Sequence, residues 1–110
     1  MTTQTGFKQD VQGSYIEKDP GATLVYSLDW SDWLEANDFI ANSTMSVGTV
    51  AGASNVTVVT SGLTNNGTVT YAELSGGSAG HTYTVTNTIT TDNGAVDVRR
   101  FKLKVVNRYL

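Results

Sequence analysis

The chain has 110 residues, a net charge of −3, one histidine and no cysteine, which fits one domain of ordinary size and excludes disulfide staples and a zinc site built from Cys and His. Charged residues make up only 15% of the chain, against about 25% in average proteins, and its acidic balance gives no broad attraction for nucleic acid. No apolar run approaches the ~20 residues that span a bilayer, so we expect no membrane partner.

The first twenty residues lack the apolar periodicity of a helix or a strand. We interpret residues 1–20 as an extended N-terminal arm that ends at the turn signal Pro20-Gly21, and residues 21–110 as one globular domain. Scattered apolar side chains could anchor the arm on a neighbouring subunit, and they are Phe7, Val11, Tyr15 and Ile16. A disordered tail is the alternative.

From Ala22 to Trp30, apolar and polar residues alternate strictly, which predicts a β-strand. Trp30 continues the apolar face and is therefore expected in the core. Ser31, followed by acidic residues, predicts an N-cap and one short helical turn. Trp33 lies on that turn, where it would cover the end of the fold or be exposed.

The middle of the chain predicts three strands separated by Gly, Ser and Asn, at residues 39–47, 55–60 and 68–74. In the first strand, the residues expected to share the inward face are Ala41, Ser43, Met45 and Val47. In the second strand, Val56 and Val58 are expected to share a face, and in the third, Val69 and Tyr71 are. Ser61-Gly62 and residues 65–67 are expected to lie in the connection between the last two.

The last third of the chain has the clearest pattern. Residues 82–91 predict a strand with threonines on a wet face, and its other face consists of Tyr83, Val85, Asn87 and Ile89. Asp92-Asn93-Gly94 predicts a hairpin turn. The return strand, residues 95–106, is expected to turn Val96 and Val98 inward first, and Phe101, Leu103 and Val105 inward later. Because the two sets differ in parity, we expect a β-bulge at Arg99-Arg100.

About seven short strands, frequent Gly and Asn turns and almost no helix predict an all-β protein. The expected fold is an immunoglobulin/fibronectin-type-III-like antiparallel β-sandwich with an extended N-terminal arm. Tyr83, which follows a Gly-rich loop, has the sequence context of a tyrosine corner. The absence of a Cys pair places the chain nearer to fibronectin-type domains than to antibody domains.

Candidate chemical sites are few. The acidic residues Asp29, Asp32, Glu35 and Asp38 recur every three positions and could bind Ca²⁺, but they lack the spacing of an EF-hand loop. The alternative is that they cap a turn and remain solvated. His81 lies at the end of a Gly-rich loop, and no nucleophile or acid is placed around it by sequence. We therefore expect no enzyme activity, no metal and no cofactor.

The final strand carries a basic cluster in which Arg100, Lys102 and Lys104 are expected to share the outward face. One interpretation is that these residues protect an edge strand from aggregation, and the other is that they bind an acidic partner surface. The two tryptophans could stack on sugar rings, as in carbohydrate-binding modules. That interpretation requires an exposed platform made by Trp30 and Trp33 together.

Several segments of the chain resemble one family of small tailed-bacteriophage proteins, the fiber–tail adaptor or virion proteins. The segments are EKDPGA at residues 17–22, YSLDWSDWL at 26–34, LSGG at 74–77 and GHTYTVTN at 80–87. The likeness covers about residues 17–105. It implies an immunoglobulin-like fold, no catalysis and assembly of several copies in a virion made in the host cytoplasm.

On this basis we expect a non-enzymatic virion protein, an adaptor in the tail and fiber-attachment region that binds other virion proteins and copies of itself. We expect no nucleic acid, membrane or small-molecule substrate as a partner. The candidate partner-binding residues are Phe7, Val11, Tyr15, Arg100, Lys102, Lys104, Tyr109 and Leu110. The alternatives are a capsid decoration (cement) protein and a host-glycan-binding immunoglobulin-like module.

Overall fold

The computed structural model describes residues 3–4, 8–10, 13–64 and 66–107. Seven strands of six or more residues and two short N-terminal strands form two sheets. The strands are β1 (Thr3–Gln4), β2 (Lys8–Asp10), β3 (Gly13–Lys18), β4 (Thr23–Asp29), β5 (Ile40–Val47), β6 (Val56–Thr64), β7 (Val69–Gly76), β8 (His81–Thr91) and β9 (Val96–Val105). The predicted all-β sandwich is confirmed. Within the described ranges, no helix is long and apolar enough to cross a membrane.

The strand order is β1-β4-β7-β6 in one sheet and β2-β3-β9-β8-β5 in the other. Neighbouring strands are antiparallel except for β1 with β4 and β3 with β9, which run parallel. If β4 is matched to the second strand of an immunoglobulin-like sandwich, the order from β4 to β9 is consistent with that fold. In that fold the second, fifth and fourth strands lie in one sheet, and the third, sixth and seventh lie in the other.

Part of the predicted arm lies in the second sheet. β3 pairs with β9, with Ile16 opposite Leu103, and Ile16 is 4% exposed in the main core cluster. Lys18 at the end of β3 is fully buried. Phe7 and Val11 lie outside the described residues, and the division of the chain at residue 20 stays a prediction.

β8 supplies the centre of the core as its alternation predicts. Tyr83, Val85, Asn87 and Ile89 are all buried. The Tyr83 hydroxyl donates a hydrogen bond to the Ser54 carbonyl (2.6 Å) and accepts one from the Ser78 N–H (2.9 Å). These backbone contacts, one of them a few residues upstream, are those expected of a tyrosine corner.

The predicted bulge at Arg99-Arg100 is wrong. β8 and β9 pair without a register shift from His81 opposite Val105 to Thr90 opposite Val96. Parity along the strand therefore places Arg99 on the same face as Phe101, while Val96, which is 64% exposed, lies on the outer face. Val96 points to solvent because the unbroken strand keeps its parity, which assigns the inward positions to Asp97 and Arg99.

The bulges lie elsewhere, in β5 and β6. The pairing of β5 with β8 shifts between Ile40 and Asn42, so Ile40 is buried and Ala41 is exposed, contrary to the predicted face. The pairing of β6 with β7 shifts between Val58 and Thr60, which leaves Val59 exposed. A bulge adds one residue and reverses the inward set beyond it.

One further expectation for the middle strands needs correction. Ser61-Gly62 does not lie in a connection but continues β6, where Gly62 faces Tyr71 of β7. A side chain at Gly62 would come within 2.8 Å of the Tyr71 hydroxyl oxygen. In β7, Val69 and Tyr71 share a face as predicted, and the opposite face, which carries Thr70, Ala72 and Leu74, is the buried one.

Candidate interaction surfaces

Trp30 is the centre of a buried polar network that joins the two sheets. Its indole N–H donates to Thr70 Oγ1 (3.1 Å) on β7 and Asn87 Oδ1 (3.3 Å) on β8, and the Thr70 hydroxyl donates to the same Asn87 oxygen (2.7 Å). The Asn87 amide in turn donates to Ser43 Oγ (2.9 Å) and the Thr44 carbonyl (3.1 Å) of β5. Such satisfied buried polar networks fix how core elements pack.

Two side chains contact Trp30 from the end of the sandwich. The Arg99 guanidinium carbon lies 4.0 Å from the centroid of the Trp30 ring, and Arg99 also donates to the Asp29 carbonyl (3.1 Å). Trp33 meets the same ring edge-on, with centroids 5.5 Å apart and an interplanar angle of 74°. Trp33 therefore covers the end of the core and is also 36% exposed, so the structure combines the two predicted alternatives.

The turn after β4 is held by its own backbone and by Asp29. The Leu34 N–H donates to the Trp30 carbonyl (3.1 Å), which closes one helical turn. The carbonyl that accepts the hydrogen bond closing this turn is that of Trp30 and not that of Ser31, so Ser31 does not have the predicted N-cap position. The Ser31 N–H donates to Asp29 Oδ1 (2.9 Å). This backbone hydrogen bond holds the pKa of the Asp29 carboxyl below its usual value, and the Ser31 side-chain hydrogen bond and the Arg99 charge act in the same direction.

The acidic residues of this end stay spread out. Asp38 accepts hydrogen bonds from the N–H groups of Phe39 (2.9 Å) and Asn93 (3.3 Å) and so ties the β4–β5 connection to the β8–β9 hairpin. Asp32 and Glu35 are exposed. Among the described residues, no three acidic, histidine or cysteine side chains come together as a metal site would require. The arrangement fits the expected turn-capping role better than a Ca²⁺ site.

A groove lies between that connection and the hairpin. It has a volume of about 330 Å³ and is lined by Trp33, Glu35, Asp38, Asn93 and Ala95. We call it the Trp33 groove. Other acidic side chains at the same end of the sandwich are Asp29, Asp32, Asp92 and Asp97. The groove therefore combines an exposed aromatic wall with two lining carboxylates, at an end of the sandwich that carries further acidic residues.

The basic residues of β9 form a second surface. Arg100, Lys102 and Lys104 alternate with buried core residues and face outward from the five-stranded sheet, as predicted. We call them the basic row. The edge-protection interpretation is wrong for Lys102 and Lys104, because β3 pairs with β9 from Lys102 to Val105 and β8 pairs with its other side. Tyr15 of β3 lies beside this row, with Lys104 Nζ 3.9 Å from the centroid of its ring.

Two end strands of the sheets are uncharged. β5 ends the five-stranded sheet and β6 ends the four-stranded sheet. Neither contains a charged residue or a proline, although charges and prolines are the devices that usually block edge-to-edge pairing. Each of the two strands also contains one bulge.

The opposite end of the sandwich contains the only histidine and the buried Lys18. His81 begins β8 opposite Val105, far along the strand from the acidic end. Lys18 Nζ donates to the carbonyls of Asp19 and Gly76, both at 2.8 Å, and so connects β3 to β7 of the other sheet. Burial lowers the pKa of Lys18, and the Asp19 charge opposes this shift.

The structure brings only part of the predicted site together. Tyr15, Lys102 and Lys104 lie side by side, with Arg100 next along the strand, whereas Phe7, Val11, Tyr109 and Leu110 lie outside the described residues. Sequence reasoning missed Arg99 and Lys18. For Arg99 a signal was present, since it has the parity of Phe101 and Leu103. For Lys18, the pattern of the neighbouring residues gave no signal that its side chain is buried.

The fold and these surfaces define a small all-β sandwich domain whose conspicuous features are edges, a groove and a charged face. The family model of the podophage GP4 fiber-tail adaptor protein gp77 matches residues 18–104, and the chain therefore belongs to that family of bacteriophage tail adaptors. The resemblance carried by the EKDPGA, YSLDWSDWL and GHTYTVTN segments is confirmed. No curated protein matches the chain.

Proposed function

We propose that this protein is a non-enzymatic component of the virion that joins fibers to the tail and assembles there in several copies. The observation that carries the proposal is the family match, because residues 18–104 include all of β4 to β8 and nearly all of β9. Its partners are other virion proteins and copies of itself, and nucleic acid, membranes and small molecules are not among them.

The contact surfaces follow from the physical chemistry of the fold. The uncharged edges of β5 and β6 suit β-augmentation, in which an extended segment of a partner adds a strand through backbone hydrogen bonds. The remaining proposed contacts are the arm residues Phe7, Val11 and Tyr15, the basic row, and Tyr109 and Leu110 at the C-terminus.

Virions from a phage whose copy of this gene carries an early stop codon test the proposal. We expect particles that keep the tail and lack fibers, and we expect the added purified protein to restore fiber attachment. Particles with normal fibers but fragile capsids would instead indicate capsid decoration. Particles that keep their fibers and lose only glycan-dependent adsorption would indicate a glycan-binding module, for which fully buried Trp30 is an unfavourable observation.

The edges are tested with the same complementation. Thr44→Lys in β5 and Val59→Lys in β6 place a charge at exposed edge positions, and we expect at least one of them to abolish fiber attachment. Thr23→Lys is the matched control, because Thr23 is exposed on β4, which lies between β1 and β7 in its sheet and outside the proposed contact surfaces. If both edge variants restore fibers as well as the wild type does, strand addition at these edges is excluded.

A further inference from the structure

The Trp33 groove and the basic row are complementary in charge and lie on different parts of the same molecule. The groove and its surroundings hold most of the acidic residues of the chain, and Arg99, the cation nearest to them, is engaged by the Trp30 ring and the Asp29 carbonyl. The basic row runs away from this end, since Arg100 pairs with Thr86 near the middle of β8 and Lys104 pairs with Thr82 at its far end.

Arg100 is the member of the basic row nearest to the acidic end. It is three positions from Asp97, which corresponds to about 10 Å along an extended strand, and Lys104 is seven positions away, at about 23 Å. Both distances exceed the screening length of about 8 Å at physiological ionic strength. Lys104 contacts Tyr15 and lies opposite Glu17 of β3, so exposed Arg100 is the residue of the row that presents its charge to other molecules.

The groove has the shape and chemistry to bind a long basic side chain. Trp33 offers a ring face or edge on which an aliphatic stem or a guanidinium can stack. Glu35 is exposed at the rim for an ion pair. Exposed aromatic residues next to charged partners are typical of residues that dominate protein interfaces.

We propose that the occupant of the Trp33 groove is the basic row of a second copy of this chain, with Arg100 of the neighbouring copy against Trp33 and Glu35. The inference rests on the proposed assembly in several copies and names the surfaces that make it. Arg100 is the exposed member of the row, whereas Lys104 already contacts Tyr15.

The arrangement of charge also selects the symmetry of the contact. An isologous dimer through the groove would bring two acidic ends together, which repel each other. A contact between groove and row is heterologous, so each copy uses one surface for each of two neighbours. Such contacts generate rings when the rotation closes, as a fiber-attachment collar around a tail would need.

Sedimentation equilibrium and native mass spectrometry of the purified chain test the contact. We expect association that weakens as NaCl is raised, because charged surfaces drive it. Glu35→Lys and Arg100→Glu should each weaken association by about tenfold or more. The double variant that carries both changes should recover it, because its swapped charges again attract. Glu73→Lys, which reverses a charge on the outer face of the other sheet, should associate like the wild type.

A strictly monomeric wild-type chain at low salt overturns the contact, and so does unchanged association of both single variants. Loss of association in the single variants without recovery in the double variant overturns the pairing of Arg100 with Glu35. Circular dichroism melting confirms that each variant is folded. If Glu35→Lys or Arg100→Glu does not fold, the pair Asp32→Lys and Lys102→Glu is used in its place. Fiber restoration by the purified wild-type chain tests the adaptor function separately, so the two proposals can fail independently.

Discussion

The Arg99 guanidinium lies over the face of the Trp30 ring at 4.0 Å while Arg100, the next residue, points out of the opposite face of the sheet. This pair explains why β9 needs no bulge. Arg99 covers the face of the Trp30 indole that lies toward the end of the sandwich. A guanidinium stacked in this way can keep contact with water along its own edge, so it can occupy an inward position at the end of the sandwich.

The neighbouring arginines therefore make a matched experiment. We expect Arg99→Met to lower the free energy of unfolding by about 1 kcal/mol, because it removes a cation–π contact and the hydrogen bond to the Asp29 carbonyl. Arg100→Met should change it by less than about 0.5 kcal/mol, as is usual for exposed positions. Urea denaturation measures both. Equal losses in the two variants would contradict the assigned faces.

Trp30→Ala should cost about 3–5 kcal/mol, because it empties a fully buried site and removes a donor from the polar network. Trp33→Ala should cost clearly less, since Trp33 is 36% exposed and touches Trp30 only along an edge. Chemical denaturation followed by circular dichroism distinguishes them without relying on tryptophan fluorescence. A loss below about 1 kcal/mol for Trp30→Ala would show that this residue does not anchor the core.

Thr70→Val tests the polar network at nearly constant volume. The variant loses the hydroxyl that accepts from Trp30 and donates to Asn87, and we expect it to cost about 1–3 kcal/mol because buried polar partners lose a hydrogen bond. Thr86→Val on the outer face of β8 is the control and should be nearly neutral. A neutral Thr70→Val would mean that the Trp30–Asn87 hydrogen bond alone satisfies the network.

The buried Lys18 predicts a specific pH dependence. Its pKa is lowered in the folded chain relative to the usual 10.5, so between the two values the unfolded chain binds more protons. The free energy of unfolding of the wild type should therefore rise with pH through that window, relative to Lys18→Met. Urea denaturation of both proteins at about pH 7 and pH 10 measures the difference, in which other titrating groups cancel. The opposite sign would mean that the carbonyls of Asp19 and Gly76 favour the charged amine more than burial disfavours it.

Alternation alone determined the regular strands. The inward set of β8 and the assignment of Trp30 to the core followed from period-two patterns, because one face of each strand is buried and the other is wet. The family membership likewise followed from local segments such as YSLDWSDWL, which require no knowledge of long-range contacts.

Only the tertiary structure decided what happens at the ends and edges of the sandwich. Val96 and Val98 are apolar and predict inward positions, yet the unbroken pairing of β9 with β8 turns them outward and brings Arg99 over Trp30. The burial of Lys18 depends on hydrogen bonds that its amine donates to the carbonyls of Asp19 and of Gly76, which is 58 residues away in sequence. A strand's own pattern reports the average polarity of its two faces, whereas the partner for one charged group, and the bulge that shifts a register, depend on residues distant in the chain.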